Sequence, residues 1–176
     1  MRKLTEKQLS ETIKNKFVLF DTNVIINAFK YLDVFKELFD FLGDAEASPI
    51  YFPLIEFEFL RDAYDVTHKG KRKEFLREFT FSTMPLPSSN EIEDSIKIAN
   101  AYTARKINNP SFIDCCIAAY LKKYAKNLFL ITSNHKDFPI FLFDRIFIYT
   151  LDTEKDIFTI GFYCFNPKKA KAIGVL

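Results

Sequence analysis

Apolar and polar positions change period repeatedly along this chain. Residues 17–21, FVLFD, form a short apolar run ending on an ionisable side chain, and apolar residues then recur at 24, 25, 28, 29 and 32, the spacing of one helical face. That change predicts a strand running into a helix. It recurs at IYFP, 50–53, where Pro53 stops the strand and stands near the first turn of a helix that continues LIEFEFLRDAY. Residues 71–80 predict a charged amphipathic helix; the Pro- and Ser-rich MPLPSSN then breaks the chain and caps a helix over EIEDSIKIANAYTARK. After an N-N-P turn, Ser111 caps a helix with apolar residues at 113, 116, 117, 120, 121 and 124, whose end, LKKYAK, carries lysines where the helix dipole favours them. Strands are predicted at LFLIT, 128–132, at RIFIYTL, 145–151, and at DIFTIGFYCF, 156–165, as a last pairing segment.

Short apolar strands separated by helical stretches predict an α/β fold, with a parallel sheet covered on both faces. With 176 residues, 48% of them apolar, the chain supports one sizeable core and not two. The expected organisation is a polar helical extension over 1–16, a main domain over 17–152, and a strand and tail over 153–176 that pack on the domain or extend it. The 21 Phe and 8 Tyr are scattered evenly, which suits a core better than a base-stacking platform.

Charge changes this picture only locally. A net charge of +2 carries no argument for nucleic acid by itself, but the run KGKRK offers Lys69, Lys71, Arg72 and Lys73 as candidate contacts to RNA phosphates, against the plainer reading of a solvated turn. The first sixteen residues lack the apolar stretch of a secretory signal, and FPIFLFDRIFIYTL, interrupted by Asp144 and Arg145, is too short for a membrane span. Three cysteines with no C-x-x-C pair fit a reduced setting. A soluble, cytoplasmic protein is expected.

The candidate chemistry lies at the strand ends. In an open parallel sheet each helix starts at the carboxyl edge where the preceding strand ends, so that edge can be populated from sequence. Asp21 closes the first strand, Glu56 or Glu58 follows the second, Asp114 lies in the first turn of its helix, and Asp137 follows LFLIT within a loop's reach. Clustered carboxylates repel and are costly to desolvate, so they call for protons or a cation. Oxygen ligands suit Mg²⁺ or Mn²⁺, which also bind phosphate oxygens, and phosphodiester hydrolysis is the matching chemistry. Neither His68 nor His135 is needed for it, and both read as surface residues. Each acid has a plainer reading alone: Asp21 as a helix N-cap, Glu56 and Glu58 as first-turn acids, Asp114 as a capping-box partner of Ser111, and the Asp137 loop as a polar turn.

Taken together, VLFDTNVII, EFLRD, DCCIAA and ITSNHKDF resemble the PIN-domain family, in particular its VapC-type toxin ribonucleases, in the same order over roughly residues 17–150. The resemblance implies a three-layer α/β/α fold around a central parallel sheet, and a Mg²⁺- or Mn²⁺-dependent endoribonuclease that is often dimeric and blocked by a cognate antitoxin. It assigns catalytic and metal-binding roles to Asp21, Glu58 and Asp114, with Asp137 in the region of a fourth, variable acid. Thr22, Asn23 and Thr132, and Asn134 beside them, match polar neighbours that orient the carboxylates. Glu56 is the alternative to Glu58: two residues apart on a helix, they point about 200° apart, and EFLRD is the closer match to the family. Asn134 stands where many PIN domains carry Asp, which implies a weaker second metal position and leaves open a PIN-like module that binds RNA or protein without cutting. An aspartyl-phosphatase reading of Asp21 is disfavoured, because it wants a second Asp where Asn23 stands.

Overall fold

A computed structural model describes residues 4–79, 82–107, 110–153 and 156–175; the turn expected at Asn108 and Asn109, residue 80 at the end of an expected helix, and the chain ends lie outside them. The strands are β1 (Phe17–Phe20), β2 (Ser48–Tyr51), β3 (Ser82–Thr83), β4 (Leu128–Thr132), β5 (Phe143–Asp152) and β6 (Ile157–Phe165). They form one six-stranded sheet in the order β3-β2-β1-β4-β6-β5. β1 pairs parallel with β2 and β4, and β2 with β3, so Leu19 lies between Ile50 and Leu130. β4 is buried throughout, which is why LFLIT reads as an unbroken apolar run.

The fold is α/β, but the expected wholly parallel sheet is corrected to a mixed one, because β6 runs antiparallel to both β4 and β5. Only four residues separate β5 from β6. That is too short for the crossover a parallel pair requires, and a hairpin results.

Eight helices surround the sheet among the described residues: α1 (Glu6–Ile13), α2 (Thr22–Lys30), α3 (Leu32–Asp44), α4 (Pro53–Arg61), α5 (Val66–Phe79), α6 (Ser89–Ala104), α7 (Phe112–Lys123) and α8 (Pro167–Ala172). Several start as the sequence predicts. Pro53 opens α4, while Ser88 with Glu91 and Ser111 with Asp114 form capping boxes for α6 and α7. Others differ. The expected helix after β1 is two helices, broken at Tyr31 (φ −130°, ψ 50°), and α3 buries Phe35, Leu38 and Leu42. α5 starts earlier than expected, because Asp65 accepts the His68 N–H at 2.6 Å and caps it; KGKRK is therefore helical, not a turn.

The first and last described helices are packed on the domain. Leu9 and Ile13 of α1 are fully buried. The tail, which has no assignment from sequence, folds as α8: Asn166 caps it, Ala170 and Val175 are buried, and Lys169 pairs with Asp144 at 2.6 Å. The core is aromatic as expected, with Phe20, Phe35, Phe52, Phe59, Tyr102 and Tyr120 among its largest buried side chains. No helix among the described residues is long and apolar enough to cross a membrane.

Candidate active site

Asp21 follows the last residue of β1, and its N–H donates to the Ile131 carbonyl of β4 at 3.1 Å, so the parallel pairing sets the height at which its side chain emerges. It occupies the N-cap position of α2 but makes no side-chain capping hydrogen bond. Instead Oδ2 accepts from Thr132 Oγ1 at 2.6 Å and from Asn23 Nδ2 at 2.5 Å. Asn23 Oδ1 in turn accepts the Ser133 N–H at 2.9 Å, and Thr132 Oγ1 accepts the Asn134 N–H at 2.8 Å. These bonds tie the end of β1 to the end of β4 and hold the Asp21 carboxylate in one orientation.

The carboxylate is only 5% exposed. Burial pushes its pKa up to about 7; the Thr132 hydrogen bond works against that, and the charge of Asp114 adds to it. Among the described residues no lysine or arginine forms an ion pair with Asp21, Glu58, Asp114 or Asp137.

The other acids stand around it. Glu58, on α4, accepts from Thr22 Oγ1 at 2.5 Å, one residue along from Asp21. Asp114 Oδ2 accepts the Ser111 N–H at 2.9 Å, so the capping-box reading of Asp114 is present in the structure. That bond uses one carboxylate oxygen, and the charge of Asp114 still acts on both Asp21 and Asp137. Asp137 accepts from the Asn134 side-chain amide, and burial followed by Asp114 raises its pKa.

Asp21, Asp114 and Asp137 thus share one electrostatic neighbourhood, with Glu58 attached through Thr22. The donor set is hard oxygen, with Asp21 buried and Glu58, Asp114 and Asp137 half-buried, and carboxylates so placed without an ion pair suit a divalent cation. The set is open, however: no three His, Cys, Asp or Glu side chains among the described residues are grouped closely enough to hold a metal ion as they stand.

The polar neighbours predicted from sequence each hold an acid: Thr22 holds Glu58, Asn23 and Thr132 hold Asp21, and Asn134 holds Asp137. Glu56 is separated from them, lining a groove with Lys69 and Lys73. Of the basic run, Lys69, Lys71 and Lys73 are exposed. Arg72 is a correction. It is 8% exposed, donates to the Phe59 carbonyl, and places its guanidinium over the rings of Phe59 and Phe29, so its charge is turned inward and away from any phosphate.

His135 is also not a free surface residue. Its Nδ1 lies 2.9 Å from Tyr163 Oη and its Nε2 3.3 Å from Thr159 Oγ1, which anchors the 133–137 loop to β6. Nothing in the local sequence signals this, since it depends on β6 lying beside β4. The thiols stay out of the chemistry: Cys115 and Cys116 are buried, and burial pushes Cys115 up to about 11.

Searched against protein-family models and against curated proteins, the chain matches none of them.

Proposed function

We propose that this protein is a Mg²⁺- or Mn²⁺-dependent endoribonuclease of PIN type, in which Asp21, Glu58, Asp114 and Asp137 hold the metal. The observation that carries the proposal is Asp21: a carboxylate buried at the end of β1, fixed by Thr132 and Asn23, next to a second acid and without a cationic partner. A core residue with no function would be cheaper as Asn or Thr. The resemblance of the four motifs to PIN domains supplies the reaction class and the three-layer α/β/α reading of the fold. It also extends the proposal to a toxin blocked by a cognate antitoxin, and to a homodimer.

When bound, the cation supplies neutralisation of phosphate charge and polarisation of an attacking water. The chain's own residues do the positioning. Thr132 and Asn23 hold Asp21 in one rotamer, Thr22 directs Glu58 toward the same rim, and Ser111 holds Asp114 at the start of α7. The site is tested by incubating purified protein with single-stranded RNA. Cleavage should require Mg²⁺ or Mn²⁺, stop with chelator, and fall by more than about tenfold in Asp21→Asn and Asp114→Asn, since even the outer-shell partners of a metal contribute about 10–100-fold. Chelator-resistant cleavage that survives both substitutions would refute the proposal.

A second reading, a PIN-like module that binds RNA or a protein partner without cutting, draws on the open acid set and on Asn134 engaging Asp137. It predicts no carboxylate-dependent uptake of Mn²⁺.

A further inference from the structure

The 133–137 loop is anchored on one side by His135, through Tyr163 and Thr159 of β6. Its far end is held by a helix that carries none of the four acids. Tyr102, in the last turn of α6, is 1% exposed and donates its phenol hydroxyl to the backbone carbonyl of Asp137. Four residues on, Phe141 packs edge-on against the Tyr102 ring with centroids 5.4 Å apart, and the Arg105 guanidinium covers Phe141 at 4.8 Å. α6 therefore grips the chain at Asp137 and again just beyond it.

The same helix is fixed to α7, which begins beside Asp114. Asp94 pairs with Lys122 at 2.7 Å and Glu91 with Lys123 at 2.6 Å, and Ser95 Oγ lies 3.2 Å from the carbonyl of Cys115, the residue after Asp114. Ser95 and Tyr102 stand seven residues apart, which puts them on nearly one face of the helix. That face meets the neighbour of Asp114 at one end and Asp137 at the other. Burial raises the Tyr102 phenol, with Cys115, Asp114 and Asp137 adding to the shift, so the hydroxyl keeps its proton and remains a donor while the acids are ionised.

We propose that Tyr102 is a positioning residue for the acid site: its hydrogen bond to the Asp137 carbonyl sets where the Asp137 carboxylate stands relative to Asp114, and so how well the two share a divalent cation. The cation rests on the nuclease reading; the bond and its place beside both acids do not. Asn134 holds the Asp137 side chain, but a contact at the carboxyl fixes its direction only if the backbone behind it is also fixed, and Tyr102 supplies that second hold. Buried as it is, Tyr102 touches neither cation nor substrate and acts through Asp137 alone.

Calorimetric titration of the full chain with Mn²⁺ tests this. Tyr102→Phe keeps the ring and its packing on Phe141 and removes only the donor; Mn²⁺ affinity should fall about tenfold, the low end of what the outer partners of a metal contribute. Tyr120→Phe is the matched control, because that phenol is also 1% exposed and donates to a loop carbonyl, that of Pro85, while the groups acting on it are Glu91, Cys116 and Tyr124 and none of the site's acids. Both variants should unfold a similar few degrees below the wild type, as a buried carbonyl loses its donor in each, yet only Tyr102→Phe should lose Mn²⁺ affinity. Asp137→Asn should weaken binding too, and adding Tyr102→Phe to it should weaken it little further, since both act on one ligand. Wild-type affinity in Tyr102→Phe, an equal loss in Tyr120→Phe, or additive losses in the double variant would overturn the role of Tyr102 and leave the metal site standing. No Mn²⁺ binding by the wild type would overturn both.

Discussion

At pH 8 the Asp21 carboxylate is ionised while 95% covered, held by a hydroxyl and an amide and facing the charge of Asp114. Its pKa, raised from 3.8 to about 7, makes this a statement about stability. Between those values the folded chain keeps a proton that the unfolded chain has released, so stability falls as pH rises through the window, and the deficit is complete above it. The cost is on the order of 4 kcal/mol. Asp21→Asn removes that cost, so in chelator at pH 8 the variant should unfold at a higher temperature than the wild type, by roughly 2–4 °C per kcal/mol for a chain of this size. At pH 4 the two should nearly coincide. Thermal unfolding by circular dichroism at both pH values checks this; a wild type that is the more stable at pH 8 contradicts it. Under the proposed function, a residue that costs stability in the isolated protein and is nonetheless held by two polar side chains would be kept for what it binds.

At the scale of elements, the 133–137 loop reaches the acids because β6 receives it. Gly161 lies opposite Thr132 in the β4–β6 register, and a Cβ there would stand 2.5 Å from Tyr163 Cε2 and 3.0 Å from the His135 ring. Ala in place of Gly in a strand ordinarily stabilises by about 0.5–1 kcal/mol. Here Gly161→Ala should instead destabilise, by about 1–3 kcal/mol of overpacking, and lower RNA cleavage by displacing His135 and with it Asp137. A raised unfolding temperature would show that the site tolerates the methyl. This is the part of the site that was hidden from sequence. A strand-to-helix change of period pointed to Asp21 and to either Glu56 or Glu58, and a cap with an amphipathic face pointed to Asp114, because each signal is local; the choice of Glu58 came from the family resemblance alone. The short β5–β6 connection carried the signal for a hairpin, but the place of β6 antiparallel to β4 was hidden, because apolar segments of either direction read alike. Arg72 was misread because one residue's turn around α5 separates an exposed lysine from a guanidinium packed on Phe59, and the α2 aromatic Phe29 that completes its pocket lies more than forty residues upstream.

Across the whole molecule, a net charge of only +2 conceals an ordered separation: acids at the ends of β1 and β4, and Arg61, Lys69 and Lys73 around a separate groove between α4 and α5. Phosphates brought to those carboxylates would be repelled, an arrangement that works only when a cation lies between. The central claim is therefore that Asp21 and its neighbouring acids bind a divalent metal. Its most direct test is calorimetric titration of the protein with Mn²⁺ near pH 7, in two buffers that differ in protonation enthalpy. Saturable Mn²⁺ binding with release of part of a proton is expected, because a carboxyl with a pKa of about 7 is partly protonated there, with loss of both the binding and the proton release in Asp21→Asn. Uptake unchanged in Asp21→Asn, or none by the wild type, would contradict it.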